Sequence, residues 1–247
     1  MKFRIFGEKS QPVVCLLHGG GLSWWAYKPI IEKLKKNYHV VVAIIDGHDE
    51  DSDHPFISIE HSAVNLVEYI DDNYRGHVFA IIGLSLGAQI LCDVLSKRKD
   101  ISEHAVVESA LIFPILSIKA LTVPAYRLFY GLIKHKWFAK IQAKTLYIPD
   151  NLFNQYYESS KKISKQSLIH ITLSNGSFHL NPQIADTASN VLILVGEKEL
   201  SVMKSSARQL NKTIPNSRLT ILKKCGHGEL YMKNPDAYIH ILLNHFN

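Results

Sequence analysis

The chain has 247 residues, 47% of them hydrophobic and 20% charged, which suits one large globular domain with an insertion, or two small ones, and excludes disordered, collagen-like and coiled-coil classes. No run approaches the roughly 18 apolar residues of a membrane span, and the charged, alternating start from Met1 to Gly7 holds no readable signal peptide, so the expected location is cytoplasmic. The net charge is +6, and residues 114 to 190 account for all of it: nine basic side chains stand there against Asp150, Glu158 and Asp186.

In chain order, short β-branched apolar runs recur at Val13 to Leu17, Val40 to Ile45, Val78 to Ile82, Ala105 to Val107 and Val191 to Val195, with a weaker one at Leu219 to Leu222. Continuous rather than alternating runs predict strands buried on both faces, hence a mostly parallel sheet. Helical spacing separates them. Ile59, Ala63, Leu66 and Ile70 share one face behind Ser58 as N-cap, and Leu86, Ile90, Val94 and Leu95 repeat the pattern. A last helix opens at Asn234-Pro235-Asp236 and buries Ile239, Leu242, Leu243 and Phe246. The fold class is α/β, a doubly wound, mostly parallel sheet.

Residues 114 to 190 break that rhythm. Pro114, Pro124, Pro149 and Pro182 punctuate aromatic-rich amphipathic stretches such as Tyr126 to Ile141, and ten of the 24 aromatic residues lie here. The division is a core of 1 to 113 with 191 to 247, and a mostly helical insertion of 114 to 190. Cys15, Cys92 and Cys225 show no C-x-x-C spacing, which argues against a disulfide framework or a cysteine metal site.

Gly83-Leu84-Ser85-Leu86-Gly87 lies between a strand and a helix. A serine on so sharp a turn needs small residues two positions away on either side, here Gly83 and Gly87, and its hydroxyl projects above the sheet. The N–H of Leu86, at a helix start, is an unsatisfied donor suited to an anion. His18-Gly19-Gly20-Gly21 follows the first core run and suits a second oxyanion donor, the N–H of Gly20, with His18 holding the loop. A dinucleotide-binding loop is disfavoured because position 24 is Trp. Glu199 and His227 each fall a few residues past a strand, at the rim where open parallel sheets build their sites. The order Ser85, Glu199, His227 is nucleophile, acid, base.

On these four motifs, together with Asp46-Gly47-His48, the chain resembles the α/β-hydrolase superfamily. The resemblance covers nearly everything outside the insertion, which falls where that family carries its cap. It departs at Asp49, where a small residue is usual, and at Glu199, where most members have aspartate; Glu108 and Glu197 are the fallback acids. A serine nucleophile sets the chain apart from the epoxide hydrolase-like and haloalkane dehalogenase-like members, which use a carboxylate.

The expected activity is hydrolysis of a carboxylic ester, thioester or related acyl bond of a small molecule by Ser85, His227 and Glu199, with no cofactor and no metal. Alternatives on the same constellation are C–C bond hydrolysis, acyl transfer or lyase chemistry; from another class, a non-catalytic small-ligand receptor. Trp24 and Glu108 are expected at the substrate pocket. Asp46 to His54 reads as a solvated acidic loop rather than a calcium site. The basic aromatic insertion is read as a cap with its own aromatic core and solvated charges, ahead of recognition of an anionic group and well ahead of nucleic acid.

Overall fold

The computed structural model describes residues 1 to 247, the side chains of Leu116 and Lys119 aside. Seven strands form one sheet: β1 (Lys2–Phe6), β2 (Val13–Leu17), β3 (His39–Ile44), β4 (Val78–Leu84), β5 (Ser102–Glu108), β6 (Asn190–Gly196) and β7 (Ser217–Leu222). Their order is β1-β3-β2-β4-β5-β6-β7, parallel except for β1, which runs antiparallel along β3. The doubly wound sheet is therefore as expected. The additional strand β1 lacked a sequence signal because it is an edge strand, half-exposed and alternating, unlike the buried runs that mark the others.

The helices of the core are α1 (Lys28–Leu34), α2 (Ile59–Tyr74) and α3 (Leu86–Lys97). The insertion supplies α4 (Leu116–Phe129), α5 (Lys136–Thr145), α6 (Phe153–Lys162) and α7 (Lys165–Ser177), and the core closes with α8 (Ser201–Thr213), α9 (Glu229–Lys233) and α10 (Pro235–Phe246). The expected caps form: Ser58 Oγ accepts from His61 N–H at 3.1 Å and Asn234 Oδ1 from Ala237 N–H at 3.1 Å, each worth about 1 kcal/mol.

Strand alternation explains why the core runs are wholly apolar. Cys15, Leu17, Val41, Ala43 and Ile81 point to the side covered by α2, α3 and α8. Val14, Leu16, Val40, Val42 and Ile82 point to the side covered by α1, α9 and α10. Both faces are buried, so every position of a central strand must be apolar. Among the described residues no helix is long and apolar enough to cross a membrane.

The insertion runs between β5 and β6, and the stretch Tyr126 to Ile141 is two helices rather than one, broken by a 3-10 turn at Tyr130–Lys134. Its two roots are tied to the core by one side chain: Gln89 Nε2, on α3, donates to Leu111 O at 2.7 Å and Asn175 O at 3.1 Å.

The acidic loop corrects the expectation of solvation. Asp46, His48, Asp49 and Asp51 are all buried, because the loop lies under the start of α2 and the insertion. Asp46 accepts from Ser62 Oγ at 3.1 Å, and Asp49 pairs with Lys162 Nζ at 2.9 Å. Buried carboxylates persist only with such partners.

Candidate active site

The turn between β4 and α3 holds Ser85 at φ 54° and ψ −112°, a left-handed conformation that costs a non-glycine residue on the order of 1–3 kcal/mol. Two glycines permit it. A Cβ at Gly83 would overlap the Gly87 carbonyl, and one at Gly87 would overlap the Leu17 carbonyl of β2. The strained residue is held from both sides: its N–H donates to Glu108 O at 2.9 Å and its carbonyl accepts from Gln89 N–H at 3.0 Å.

The glycine loop after β2 is braced by two imidazoles. His18 Nε2 accepts from Ile45 N–H at 3.1 Å, so its Nδ1–H donates to Gly19 O at 2.9 Å. His48 Nε2 accepts from Gly21 N–H at 3.1 Å, and its Nδ1–H donates to Asp46 O at 3.0 Å. Both rings are therefore neutral, each fixed in one tautomer by its acceptor role. Burial, with the adjacent His48, pushes His18 down to about 3, and burial lowers His48 as well. The sequence assigned His18 to this bracing; His48 is its counterpart.

Past β6 and β7 the acid and the imidazole meet. His227 Nδ1–H donates to Glu199 Oε2 at 2.8 Å, and Glu199 Oε1 accepts from Ser109 Oγ and from Gly196 N–H, each at 2.7 Å. Burial of Glu199 works against its charge, but the hydrogen bond and attraction of His227, with the two further donors, outweigh it and hold the carboxyl below its ordinary range. With Nδ1 so engaged, Nε2 of His227 is the acceptor nitrogen.

The fallback acids stand elsewhere. Glu197 Oε2 accepts from Lys224 N–H at 2.8 Å and braces the histidine loop from outside. Glu108 is buried and accepts from Tyr238 Oη at 2.9 Å, with burial lifting it to about 7 against the opposing effects of that bond and of His227. Neither carboxylate hydrogen-bonds to the imidazole. Ser109 is a site residue that sequence reasoning missed. It follows β5 at φ 56°, and nothing in the local pattern distinguishes it from an ordinary loop serine.

A cavity of about 30 Å³ gathers Gly19, Gly20, Leu22, Leu84, Ser85, Leu146, His227, Gly228 and Tyr231. That is room for about two water molecules, against the few hundred Å³ of an ordinary ligand pocket. Leu146 comes from the insertion and is part of what closes it. Ser85 and His227 share this cavity with no hydrogen bond between them among the described residues. Larger depressions exist, such as one between Lys97, Arg98, Asp100 and Gln183, but they lie away from Ser85 and His227.

Two pocket expectations are corrected. Glu108 does not line the cavity, because its side chain turns under the sheet rim toward Tyr238. Trp24 does not line it either: its ring lies by Phe6, beneath the Arg4 guanidinium at 4.1 Å. The tryptophan that reaches the insertion is Trp25, buried, with Nε1–H donating to Ser159 Oγ of α6 at 3.0 Å. Among the described residues no group of three or more His, Cys, Asp or Glu is arranged to hold a metal ion.

A parallel sheet with a serine on the sharp turn after β4, and a carboxylate and a histidine past β6 and β7, is an α/β-hydrolase architecture. The sequence matches the alpha/beta hydrolase family over residues 13 to 241, and the chain belongs to that family. It is similar to an alpha/beta hydrolase family protein from Desulfitobacterium hafniense, at 20% identity and TM-score 0.79, covering 100% of both chains. An enol-lactonase from Burkholderia xenovorans LB400 aligns at 16% identity and TM-score 0.80, over 99% of this chain and 95% of the other. An esterase from Exiguobacterium antarcticum aligns at 16% identity and TM-score 0.81, over 99% and 94%. No curated protein matches the sequence. At these identities the solved structures speak to the fold alone, and it is the family match that supports a hydrolase.

Proposed function

We propose that the protein is a serine hydrolase acting on a carboxylic ester, thioester or related acyl bond of a small molecule. The observation that carries this is the pairing of a strained, cavity-lining Ser85 with a His227 whose Nδ1 is engaged by Glu199 at 2.8 Å. His227 Nε2 takes the Ser85 proton as Oγ attacks the carbonyl carbon, and the N–H groups of Gly20 and Leu86 hold the oxyanion. The imidazolium, stabilised by Glu199, then gives its proton to the leaving group, and water hydrolyses the acyl-enzyme by the same route. The roles are supported by what each group has free: Gly20 lines the cavity, and the Leu86 N–H opens α3 with no partner in its own helix.

In this reading the insertion, residues 114 to 190, is a cap. A cavity of about 30 Å³ admits no ester, so the substrate enters when Leu146 and the helices around it move, and the cap then excludes water. The test is intact-mass labelling by a fluorophosphonate. One adduct on the wild type and none on Ser85→Ala is the expected result; equal labelling of both moves the reactive nucleophile away from Ser85, and none on folded wild type favours a binding protein.

A further inference from the structure

The charges and large apolar side chains of the insertion do not all turn inward. We infer that the outer face of α4 and α5 docks on an anionic lipid bilayer. The sequence from 116 to 145 carries Lys119, Arg127, Lys134, Lys136, Lys140 and Lys144 and no acidic residue. In the same stretch Leu121, Leu128, Phe129, Trp137 and Ile141 are each more than half exposed. Among the described residues, five of the eleven exposed large hydrophobic side chains therefore fall within thirty positions of sequence. Elsewhere such residues are scattered, which is ordinary; a cluster is a binding surface.

The helical geometry groups them. On α4, Leu121 and Leu128 stand seven residues apart with exposed Pro124 and Ala125 between, which makes one apolar stripe. The opposite side of α4 is already occupied by α7, where Tyr126 Oη and Thr172 Oγ1 lie 3.0 Å apart. On α5, Trp137 and Ile141 share a face with exposed Lys140 and Lys144, while Ala139 and Ala143 are buried beneath. Trp, Phe and Leu flanked by lysines form the composition of a helix lying in the headgroup boundary, where rings and aliphatic chains enter the acyl layer and ammonium groups meet lipid phosphates.

Charge complementarity decides the occupant. A second copy of this chain would bring the same exposed positive charges, Arg127, Lys134, Lys136, Lys140 and Lys144, against this face. Nucleic acid would match the charge, but Leu121, Leu128 and Ile141 have no ring to stack on a base, and aliphatic chains suit hydrocarbon. An anionic leaflet satisfies both components at once.

The experiment uses the full chain and vesicles of phosphatidylcholine with or without phosphatidylglycerol, read by flotation and by Trp137 emission. Expected are binding to the anionic vesicles alone, a blue shift absent in Trp137→Phe, and weakening as salt rises. Each basic charge removed should weaken binding about fivefold, so that Lys136→Gln with Lys140→Gln costs about twenty-five-fold. Leu128→Asp should abolish insertion with an unchanged circular dichroism spectrum. The inference is overturned if wild type fails to float with anionic vesicles at low salt, or if these variants bind as wild type does. It is also overturned if the face mediates self-association that Leu128→Asp removes, or if a single-stranded oligonucleotide is bound and vesicles are not. None of these outcomes bears on Ser85, whose labelling is read separately.

Discussion

Ser109→Ala isolates one bond of the acid's support. The hydroxyl donates to a buried carboxylate oxygen at 2.7 Å, and the substitution leaves the positive φ of residue 109 in a non-glycine residue, so backbone strain is nearly unchanged. A hydrogen bond to a charged group contributes about 1.5–3 kcal/mol, and one pKa unit corresponds to about 1.4 kcal/mol. Removing it should therefore let the Glu199 carboxyl rise toward its ordinary range and destabilise the fold by about 2 kcal/mol at neutral pH. The sign follows from linkage. Glu199 is depressed in the native state, so its stabilising contribution is present above the unfolded carboxyl value and is lost as pH falls through the native one. The difference between variant and wild type should accordingly be largest at neutral pH and shrink in acid. Urea unfolding at stepped pH measures it. A difference of equal size at neutral and acid pH would refute the assignment, because a bond indifferent to the ionisation of Glu199 cannot be what holds its charge.

Glu199→Gln should lower kcat on a short-chain p-nitrophenyl ester by orders of magnitude with little change in KM, while Glu197→Gln stays near wild type; steady-state kinetics on both variants separates the acids. Leu146→Ala should raise kcat/KM for longer acyl chains more than for acetate, and an unchanged chain-length profile would free Leu146 of any gating role. Trp25→Phe deletes the bond to Ser159 and should lower Tm by about 2–4 °C for a loss near 1 kcal/mol in a chain of this size, checked by calorimetry. His18, neutral and held down to about 3, should make stability fall as pH drops from about 6.5 toward 3, by at most about 1.4 kcal/mol per unit, since the unfolded chain takes up the proton that the native ring refuses. Urea midpoints level across that window would contradict the buried neutral ring.

What was legible in the sequence is what periodicity and turn chemistry encode. Central strands announce themselves because both faces are covered, and the turn at Ser85 announces itself because only glycine fits at 83 and 87. The hydrogen bond between Glu199 and His227 followed from two strand ends on one rim. The burial of Asp46 to Asp51 was not legible, since it depends on Ser62 of α2 and Lys162 of α6, sixteen and more than a hundred residues away. Nor was Ser109, whose role is set by a register between β5 and β6 that no local pattern records. Trp24 and Trp25 are adjacent in a 3-10 turn, and which one points inward is decided by Ser159 and Tyr156, far along the chain.

The two hydrogen bonds of Gln89 have a mechanical consequence. A single amide, one helical turn after Ser85, grips both roots of the insertion, so the roots cannot slide relative to Ser85 without breaking bonds to the helix it opens. The distal arm beyond these roots holds α5, Leu146 and α6, and α6 is tied to the core again where Trp25 meets Ser159 and Asp49 meets Lys162. The same clamp makes the arm exchangeable: a different arm grafted between fixed roots at Leu111 and Asn175 would meet an undisturbed Ser85, and new specificity would come from the graft alone.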